Sequence, residues 1–369
     1  MHIVWFSWKD RSHPLAGGAE IVSGAIMDRL VKDGHKVQHI TSRYEGSRQN
    51  ELIQGVEIIR SGGRYSVYAA ARKSYSQNVI ATPDVIIDEM NTIPFFAANY
   101  TSHAAKHALL SYQLAREVWF YQMIFPLSVI GYVIEPFMLK LLSNKYSTVL
   151  TESNSSMQDM EKFGLKNVRV FRVGMEMKPL ETLPQKNIAH TVLSFGAVRP
   201  MKRTLDAVKA FELARDRNPK LRLIVAGDNS GSYGKKVINY VNNSRHGDAI
   251  DIKGRVSSRE KLELMKQADI ILVTSIKEGW GLIVTEANSQ GAPAIVYDTD
   301  GLRDSVRHGE TGIVTPSGKP EAMANAINNI MSDQVAYNKL RHNAWEWSKQ
   351  FTFDNSYTDF MEIIKDAKD

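Results

Sequence analysis

Short runs of apolar residues alternate along most of this chain with segments in which apolar residues recur every three or four positions. A run of five or six apolar residues between turn residues is typical of a buried strand, and the longer recurrence is typical of a helix with one buried face. Strands and helices that alternate in this way form parallel sheets covered by helices. The sequence therefore predicts an α/β fold with doubly wound parallel sheets.

The alternation occurs in two separate series. The first begins with HIVWFS near the start of the chain, and the second begins with TVLSFG near residue 191. We therefore predict two Rossmann-like domains, over residues 1–177 and 191–350, joined by a polar linker over 178–190. A last helical pattern covers residues 351–369, and we expect this helix to pack back on the N-terminal domain.

The amino-acid composition excludes several kinds of functional site and partner. None of the 369 residues is cysteine, which excludes a disulfide framework, a thiol nucleophile and every cysteine-ligated metal centre. Lys and Arg number 46 against 40 for Asp and Glu, which gives a formal net charge of +6. Because this excess is mild and spread along the chain, it favours an anionic ligand or a membrane surface, and we expect no nucleic acid partner.

The longest apolar stretch runs from Val118 to Leu142 and is interrupted by Pro126, Glu135 and Pro136. A helix that crosses a bilayer needs about 20 consecutive apolar residues. We therefore expect no spanning helix and a cytoplasmic protein.

The same stretch has two interpretations. Aromatic residues and cations around an apolar helix are typical of a surface that contacts lipid, which would make the protein peripheral on a membrane. A buried helix lining the cleft between two domains would have the same composition. We prefer the buried helix and keep the membrane contact as the alternative.

The most informative segment is SIKEGWGLIVTEANSQ, from Ser275 to Gln290. It predicts a strand end, a loop containing glycine and a helix that starts near Leu282. The start of a helix presents unpaired backbone N–H groups that suit phosphate oxygens. Glu278 lies in the loop and Glu286 one turn into the helix, and such carboxylates can accept hydrogen bonds from the hydroxyls of a sugar or a ribose.

The pattern E-G-W-G-L-x-x-x-E in this segment resembles the motif of the family 4 glycosyltransferases. Other segments resemble parts of that family in the expected order, namely TESNSSMQDM, SFGAVRPMKRTLDAVKAF, GRVSSREKLELM and APAIVYDTDGLRDSV. The resemblance implies the GT-B fold, in which two Rossmann-like domains face a cleft. It also implies that the donor binds mainly to the C-terminal domain and the acceptor to the N-terminal domain.

The resemblance assigns roles to individual residues. Glu278 matches the glutamate that holds the donor sugar, Glu286 the one that binds the ribose hydroxyls, and Lys202 the lysine that pairs with the diphosphate. Backbone amides near Gly281 and Leu282 match those that meet the diphosphate or the sugar. By the same resemblance, the loop at Gly17 and Gly18 approaches the phosphates from the other domain, and Val256 borders the base.

Two positions depart from the family pattern. The family commonly has Arg directly after the glycine of its G-R motif, and here that residue is Ala197; Arg199 is our candidate for the missing charge. Many members carry a His at the end of a first-domain strand, near the reacting carbon. The best-matching position here holds Tyr112, which we take as the catalytic candidate beside Glu278 and Lys202.

The resemblance implies a retaining glycosyltransferase that moves a hexose from a nucleoside diphosphate sugar to a hydroxyl of a glycan or lipid-linked acceptor. We expect no cofactor and no metal, and we do not interpret Asp298–Thr299–Asp300 as a metal site. Two alternatives stay open. One is a nucleotide-sugar 2-epimerase of the same fold, and the other is a sugar-nucleotide-binding protein without catalysis.

Overall fold

A computed structural model describes residues 1–188 and 190–366 of the chain, apart from the side chain of Gln122. The chain forms two compact units, the first from residues 1–174 together with the segment that begins at Thr352, and the second from Met175–Phe351. Residue 189 of the predicted linker and residues 367–369 of the predicted last helix lie outside the described residues. No helix in the described ranges has the length and apolar character needed to cross a membrane.

An eight-stranded sheet forms the centre of the first unit. All neighbouring strands are parallel except the β3–β4 pair, and the order is β3-β4-β2-β1-β5-β6-β7-β8. The strands are β1 (His2–Phe6), β2 (Lys36–Thr41), β3 (Asn50–Ile53), β4 (Val56–Arg60), β5 (Val85–Glu89), β6 (Lys106–Leu110), β7 (Thr148–Thr151) and β8 (Val168–Val170). The helices that follow these strands are α1 (Gly18–Lys32), α2 (Val67–Asn78), α3 (Trp119–Gln122), α4 (Leu127–Leu142) and α5 (Asn154–Lys162).

A six-stranded parallel sheet forms the centre of the second unit, in the order β11-β10-β9-β12-β13-β14. Its strands are β9 (Thr191–Phe195), β10 (Arg222–Ala226), β11 (Ile250–Gly254), β12 (Ile270–Val273), β13 (Ala294–Tyr297) and β14 (Gly312–Thr315). Its helices are α6 (Thr204–Arg215), α7 (Ser232–Asn242), α8 (Ser258–Gln267), α9 (Leu282–Ser289), α10 (Leu302–Ser305), α11 (Pro320–Ser332) and α12 (Gln334–Ser348). The predicted fold, α/β with two parallel sheets, is confirmed.

Alternate residues of β9 enter two different apolar cores. Val192 packs in a core with Phe211 of α6. Leu193 packs on the other face of the sheet with Met265 of α8 and Val284 of α9. A parallel strand with helices on both faces is buried on both sides, which explains its continuous apolar sequence.

The segment predicted as a linker packs along the second unit. The Leu180 N–H donates to the Ser289 carbonyl at 3.0 Å, and the Leu180 carbonyl accepts from the Trp345 indole at 2.9 Å. Further along, the Pro184 carbonyl accepts from the Arg341 guanidinium at 2.7 Å. These bonds fix the polar segment to the helices of the second unit.

The last helix, α13 (Phe353–Asp366), belongs to the first unit. Phe360 stacks on Trp5 of β1 with ring centroids 5.7 Å apart. Two polar contacts extend this packing: Asp359 accepts from the Arg172 Nε at 2.7 Å, and the Tyr357 hydroxyl donates to Asp33 at 2.6 Å. The helix thus covers the sheet with an apolar face bordered by polar contacts.

Glu89, the last residue of β5, is a buried carboxylic acid in the first unit. Its Oε2 accepts from the Trp5 indole at 2.8 Å and from the Ser23 hydroxyl at 2.7 Å. Burial raises the pKa of Glu89 to about 8, although the bonds from Ser23 and Trp5 oppose this shift. The carboxyl therefore stays protonated in the folded protein at pH values where an exposed glutamate is ionised.

This raised pKa predicts a dependence of stability on pH. Because the folded state holds a proton that the unfolded state loses, the contribution of Glu89 is fully present below the ordinary carboxyl pKa and declines as pH rises toward about 8. The slope is about 1.4 kcal/mol per pH unit. Urea unfolding of Glu89→Gln over this pH range should lack that part of the decline, whereas the exposed Glu117→Gln should follow the wild type. Parallel profiles for the wild type and Glu89→Gln would contradict the assignment.

Candidate functional site

Lys202 and Glu278 meet at one edge of the second sheet. Because β9 pairs in parallel with β12, the loops that follow the two strands lie side by side. Lys202 ends a short 3₁₀ turn after β9, and Glu278 lies in the loop after β12. The Lys202 ammonium donates to Glu278 Oε1, which also accepts from the Ser275 hydroxyl at 2.6 Å.

The turn that carries Lys202 is fixed from the neighbouring strand end. The Thr274 hydroxyl lies 2.7 Å from the Lys202 carbonyl and 3.0 Å from that of Arg203. The Ile276 N–H donates to the Met201 carbonyl at 2.9 Å. These contacts hold the backbone of the turn, so the lysine side chain starts from a defined position.

Two glycines, one in the loop between β12 and α9 and one in the loop between β13 and α10, allow these loops to pack closely together. Gly281 precedes the helix with a φ of +91°, a conformation that favours glycine. Gly301 has a φ of +75°, and a Cβ there would lie 2.4 Å from the Glu278 carbonyl oxygen. The Glu278 N–H in turn donates to the Asp300 carbonyl at 3.2 Å. The start of α9, at Leu282, is thereby held beside the Lys202–Glu278 pair.

Glu286 lies in α9 and is almost fully buried. Its Oε1 accepts from the Lys261 ammonium of α8 at 2.6 Å. Burial raises the pKa of Glu286 above the ordinary carboxyl value, and the charge and hydrogen bond of Lys261 oppose the shift. Lys261 also lies 5.6 Å from the ring centroid of Phe195, the last residue of β9. The two glutamates therefore each have a lysine partner within the same unit.

The remaining predicted residues of the second unit lie near the same strand ends. Arg199 directly precedes the Lys202 turn, is exposed and has no carboxylate partner within residues 1–188 and 190–366. Ala197 lies in the preceding loop. Val256 follows β11 and packs, half-buried, against the apolar core shared by Leu193. Arg199 thus offers an unpaired cation on the loop where the family's arginine is missing.

The predicted residues of the first unit form their own cluster. Gly17 caps α1, and its N–H donates to Glu20 Oε2 at 2.6 Å; Gly18 is the first residue of that helix. The Tyr112 hydroxyl lies 2.5 Å from the Ser23 hydroxyl and 3.2 Å from the Ala19 carbonyl. The structure therefore brings Tyr112 to the glycine loop, with its hydroxyl already bound by α1.

Burial, and to a smaller extent the neighbouring carboxyl groups of Glu89 and Glu152, raise the pKa of Tyr112 well above the ordinary phenol value. The hydroxyl therefore stays protonated at neutral pH. Its single proton is donated either to the Ala19 carbonyl or to the Ser23 hydroxyl, and the Ser23 hydroxyl donates to Glu89. Tyr112 is the outer end of a buried hydrogen-bonded chain.

Asp298 and Asp300 are engaged with cations. Arg303 contacts Asp298 at 2.7 Å and Asp300 at 2.6 Å, and Lys277 lies 3.3 Å from Asp300. Within the described residues, no group of three His, Asp or Glu side chains is placed to hold a metal ion.

Sequence reasoning missed three side chains that shape this site: Lys261, Thr274 and Ser275. Thr274 and Ser275 are the last two residues of the strand predicted from the sequence and directly follow the observed β12. Polar residues at the carboxyl end of a parallel strand are a usable signal for a site. Lys261 lies on a different helix, 25 positions before Glu286. No local spacing points to that pair.

The second unit therefore has three cations, Arg199, Lys202 and Lys261, and the N-terminus of α9 at one edge of its sheet. Lysine, arginine and backbone N–H groups at a helix N-terminus all suit phosphate oxygens. The two carboxylates beside them suit hydroxyl groups. The arrangement can therefore bind a ligand that carries both phosphates and hydroxyls.

Comparison with known proteins gives a family match for this unit. Residues 182–347 match the family model described as Glycosyl transferases group 1. A similar curated protein is the D-inositol 3-phosphate glycosyltransferase of Corynebacterium glutamicum (strain R), 28% identical over 189 residues, which are 48% of this chain and 44% of the relative. Glycogen synthase of Mycobacterium tuberculosis (strain ATCC 25618 / H37Rv) is 23% identical over 295 residues, 77% of this chain and 67% of the relative. The chain thus spans less than half the length of the first of these relatives.

Solved structures match over nearly the whole chain. Sucrose-phosphate synthase from Thermosynechococcus elongatus has a TM-score of 0.80 at 18% identity, with 99% of this chain and 98% of that chain covered. Anabaena Alr3699/HepE, in complex with UDP and glucose, has a TM-score of 0.71 at 16% identity, with 99% of each chain covered. At these identities the likeness shows the fold. Residues 182–347 are thus similar to the glycosyl transferases group 1, and the two parallel-sheet domains of the chain are those of the GT-B fold.

Proposed function

We propose that this protein is a retaining glycosyltransferase that moves a hexose from a nucleoside diphosphate sugar to a hydroxyl of a glycan or lipid-linked acceptor. The observation that carries the proposal is the contact between Lys202 and Glu278 beside the start of α9. It lies in the unit that matches the family model. The Anabaena neighbour, whose structure contains UDP and glucose, supports a nucleotide-sugar donor.

The diphosphate binds at the cationic side of this site. Lys202, Arg199 and the backbone amides near Gly281 and Leu282 supply its hydrogen-bond donors. The Lys202 ammonium is bound to Glu278. Because an ammonium has three donors, Lys202 can reach a phosphate oxygen and keep its contact with the glutamate.

The two glutamates bind the hydroxyl groups of the donor. Glu278 binds those of the transferred hexose, and Glu286 binds those of the ribose. Lys261 occupies one oxygen of Glu286, and the other oxygen accepts from the ribose. Val256 borders the base from the loop after β11.

Transfer proceeds by displacement on one face of the sugar. The bond from the anomeric carbon to the diphosphate oxygen breaks, and a bond to the acceptor oxygen forms on the same face. The leaving phosphate takes the acceptor proton. Lys202 stabilises the negative charge that develops on the leaving group, a contribution that is usually among the largest in catalysis. This route needs no cofactor and no metal.

For the first unit, we keep the roles that the family resemblance implies for Gly17, Gly18 and Tyr112. Because the Tyr112 hydroxyl is bound by Ser23 and the Ala19 carbonyl, we assign its role to the ring and to a fixed hydroxyl dipole. The raised pKa of Tyr112 makes its phenol a weaker acid, which disfavours loss of its proton during the reaction.

Product analysis separates this function from its two alternatives. The purified protein is incubated with a panel of nucleoside diphosphate hexoses, with and without hydroxyl acceptors, and the products are followed by NMR. We expect diphosphate release that depends on the acceptor and a product that keeps the donor's anomeric configuration. Conversion of the donor alone would show the 2-epimerase, and donor binding without turnover across the acceptor panel would show the non-catalytic protein.

The phosphate role of Lys202 predicts a loss of diphosphate affinity. Lys202→Ala removes a charged hydrogen bond, so calorimetry should show nucleoside diphosphate binding weakened by about 1.5–3 kcal/mol. Lys266→Ala is a matched control, because Lys266 also pairs with a glutamate but on the exposed surface of α8. Equal diphosphate affinities for the wild type and Lys202→Ala would refute the assignment.

The two glutamates should respond differently to loss of charge. Glu286→Gln should weaken the binding of nucleoside diphosphate and of intact donor by about the same factor, tenfold or more, because the ribose is common to both. Glu278→Gln should leave diphosphate affinity unchanged or tighter, since it releases Lys202 from its partner. Its transfer rate should fall tenfold or more, because the hexose loses its anchor.

Calorimetry with diphosphate, set beside transfer rates for the same proteins, makes this comparison. Equal effects of the two substitutions on diphosphate binding would mean that the partners are assigned wrongly. Transfer near the wild-type rate by both variants would remove the main support for the enzyme.

A further inference from the structure

The outer side of α3, α4 and the loop between them carries a large set of exposed apolar side chains. Ile124 and Phe125, in the loop, are 77% and 81% exposed. Exposed apolar patches of this extent on a folded protein usually mark an interaction surface. We call this set the α4 surface; its members are Phe120, Tyr121, Ile124, Phe125, Leu127, Val129, Ile130, Val133, Ile134, Phe137 and Leu141.

The inner side of α4 is fixed to the first unit. Glu135 is buried, and its carboxylate accepts from the backbone N–H groups of Ala115 and Arg116, each at 2.8 Å, and from the Trp119 indole at 3.1 Å. Leu139 packs in the apolar core of the unit. These contacts settle which side of the helix faces outward. The preference for a wholly buried helix, taken from the sequence, is therefore wrong for the outer side, because only one side of α4 has a core to pack against.

The shape of the α4 surface fits a lipid interface better than a second helix. At 100° per residue, the exposed apolar residues of α4 cover an arc of about 160° from Val129 to Leu127. A helix that pairs with another helix usually shows a narrower apolar seam with charged residues on both flanks. Here the one charged residue in the arc is Lys140, near its border. A wide apolar arc preceded by an apolar loop is typical of a helix that lies in the plane of a membrane.

The charges around the surface favour an anionic membrane. Between Val118 and Thr148 the sequence contains one acidic residue, the buried Glu135. Lys140 and Lys145 are exposed towards the end of α4, and the loop at Gly164 packs against Lys140, since a Cβ on Gly164 would lie 3.8 Å from it. Lys162 and Lys166, on either side of that glycine, are also exposed and outnumber the one exposed acid there, Glu161. The surface thus has apolar side chains next to four lysines.

We propose that the α4 surface binds the face of a lipid bilayer that contains anionic headgroups. Helix α4 lies in the interface, Ile124 and Phe125 enter the boundary between headgroups and acyl chains, and the lysines contact the headgroup charges. The inference rests on the exposure and charge of the first unit alone. It therefore stands or falls independently of the proposed sugar transfer.

Flotation with vesicles tests this directly, in the absence of any nucleotide or sugar. The full chain is mixed with vesicles of phosphatidylcholine alone or with added phosphatidylglycerol. We expect the wild type to float with the anionic vesicles and to bind the neutral ones more weakly. Added salt should reduce the difference between them, since it screens the headgroup charge.

Variants of two kinds separate the apolar and ionic parts. The double variant Phe137→Glu/Leu141→Glu should bind both kinds of vesicle at least tenfold more weakly. The matched control, Leu52→Glu/Ile80→Glu, changes residues of the same unit that are 69% and 98% exposed but lie outside the α4 surface, and it should bind as the wild type does. Replacing Lys140, Lys145, Lys162 and Lys166 by Gln should remove the preference for anionic vesicles. We expect the affinity for these vesicles to fall about fivefold for each lysine that contacts the headgroups.

Several outcomes would overturn the proposal. Wild-type protein that floats with no vesicle would do so, as would equal binding by the wild type and the double glutamate variant. A wild-type dimer in sedimentation that the double glutamate variant dissociates, with no vesicle binding, would identify the α4 surface as an interface between two copies. Circular dichroism checks that each variant is folded, and Phe125→Ser, a change in the exposed loop, serves in place of a helix variant that unfolds.

Discussion

Strand β9 pairs in parallel with β10 on one side and with β12 on the other, and this pairing determines which loops of the second unit meet. Parallel strands end at the same edge of a sheet, so every loop that leaves a carboxyl end faces the same way. Lys202 leaves from β9 and Glu278 from β12, and 76 positions of sequence separate two side chains that touch. Hydrogen bonds from Thr274 and Ile276 then fix the lysine turn to the neighbouring strand end. The apolar cores on both faces of β9 fix the position of the strand. The geometry of the site therefore depends on packing in these cores, away from the site itself.

Charge compensation is the second organising feature of the site. A half-buried lysine or glutamate without a partner is costly, and the second unit pairs Lys202 with Glu278 and Lys261 with Glu286. The pairs keep the site close to neutral while it retains donors for phosphates and acceptors for hydroxyls. Arg199 has no such partner in the described part of the chain and adds an uncompensated positive charge at the edge where an anionic ligand would enter. This division gives one small region the groups that the two chemically different parts of the proposed sugar nucleotide would need.

Much of this arrangement could be predicted from the sequence, because short apolar runs and amphipathic helices are local signals. The α/β fold and strands such as β1, β9 and β12 follow from those runs, and the Glu278 loop before α9 follows from its glycines and from the family resemblance. Strand β3, NELI, carries too few apolar residues to be recognised, and three-residue β8 is too short. The Lys261–Glu286 pair depends on how α8 packs beside α9, which no local pattern encodes. For the outer side of α4, the local pattern is clear but its burial is not. An apolar sequence does not show whether another part of the fold packs against it.

The return of α13 to the first unit has a consequence for synthesis on the ribosome. Phe360 stacks on Trp5, and Asp359 binds Arg172, so the first unit needs a helix that is made only after the whole second unit. At ordinary rates of translation the ribosome needs roughly 10–35 s to add the intervening residues. During that interval the indole of Trp5 lacks its aromatic partner, while the second unit, which is continuous in sequence, can already complete its own core. Chaperones that recognise exposed apolar surface would therefore be expected to engage the nascent first unit, and the order in which the two units mature would be the reverse of the order in which they begin.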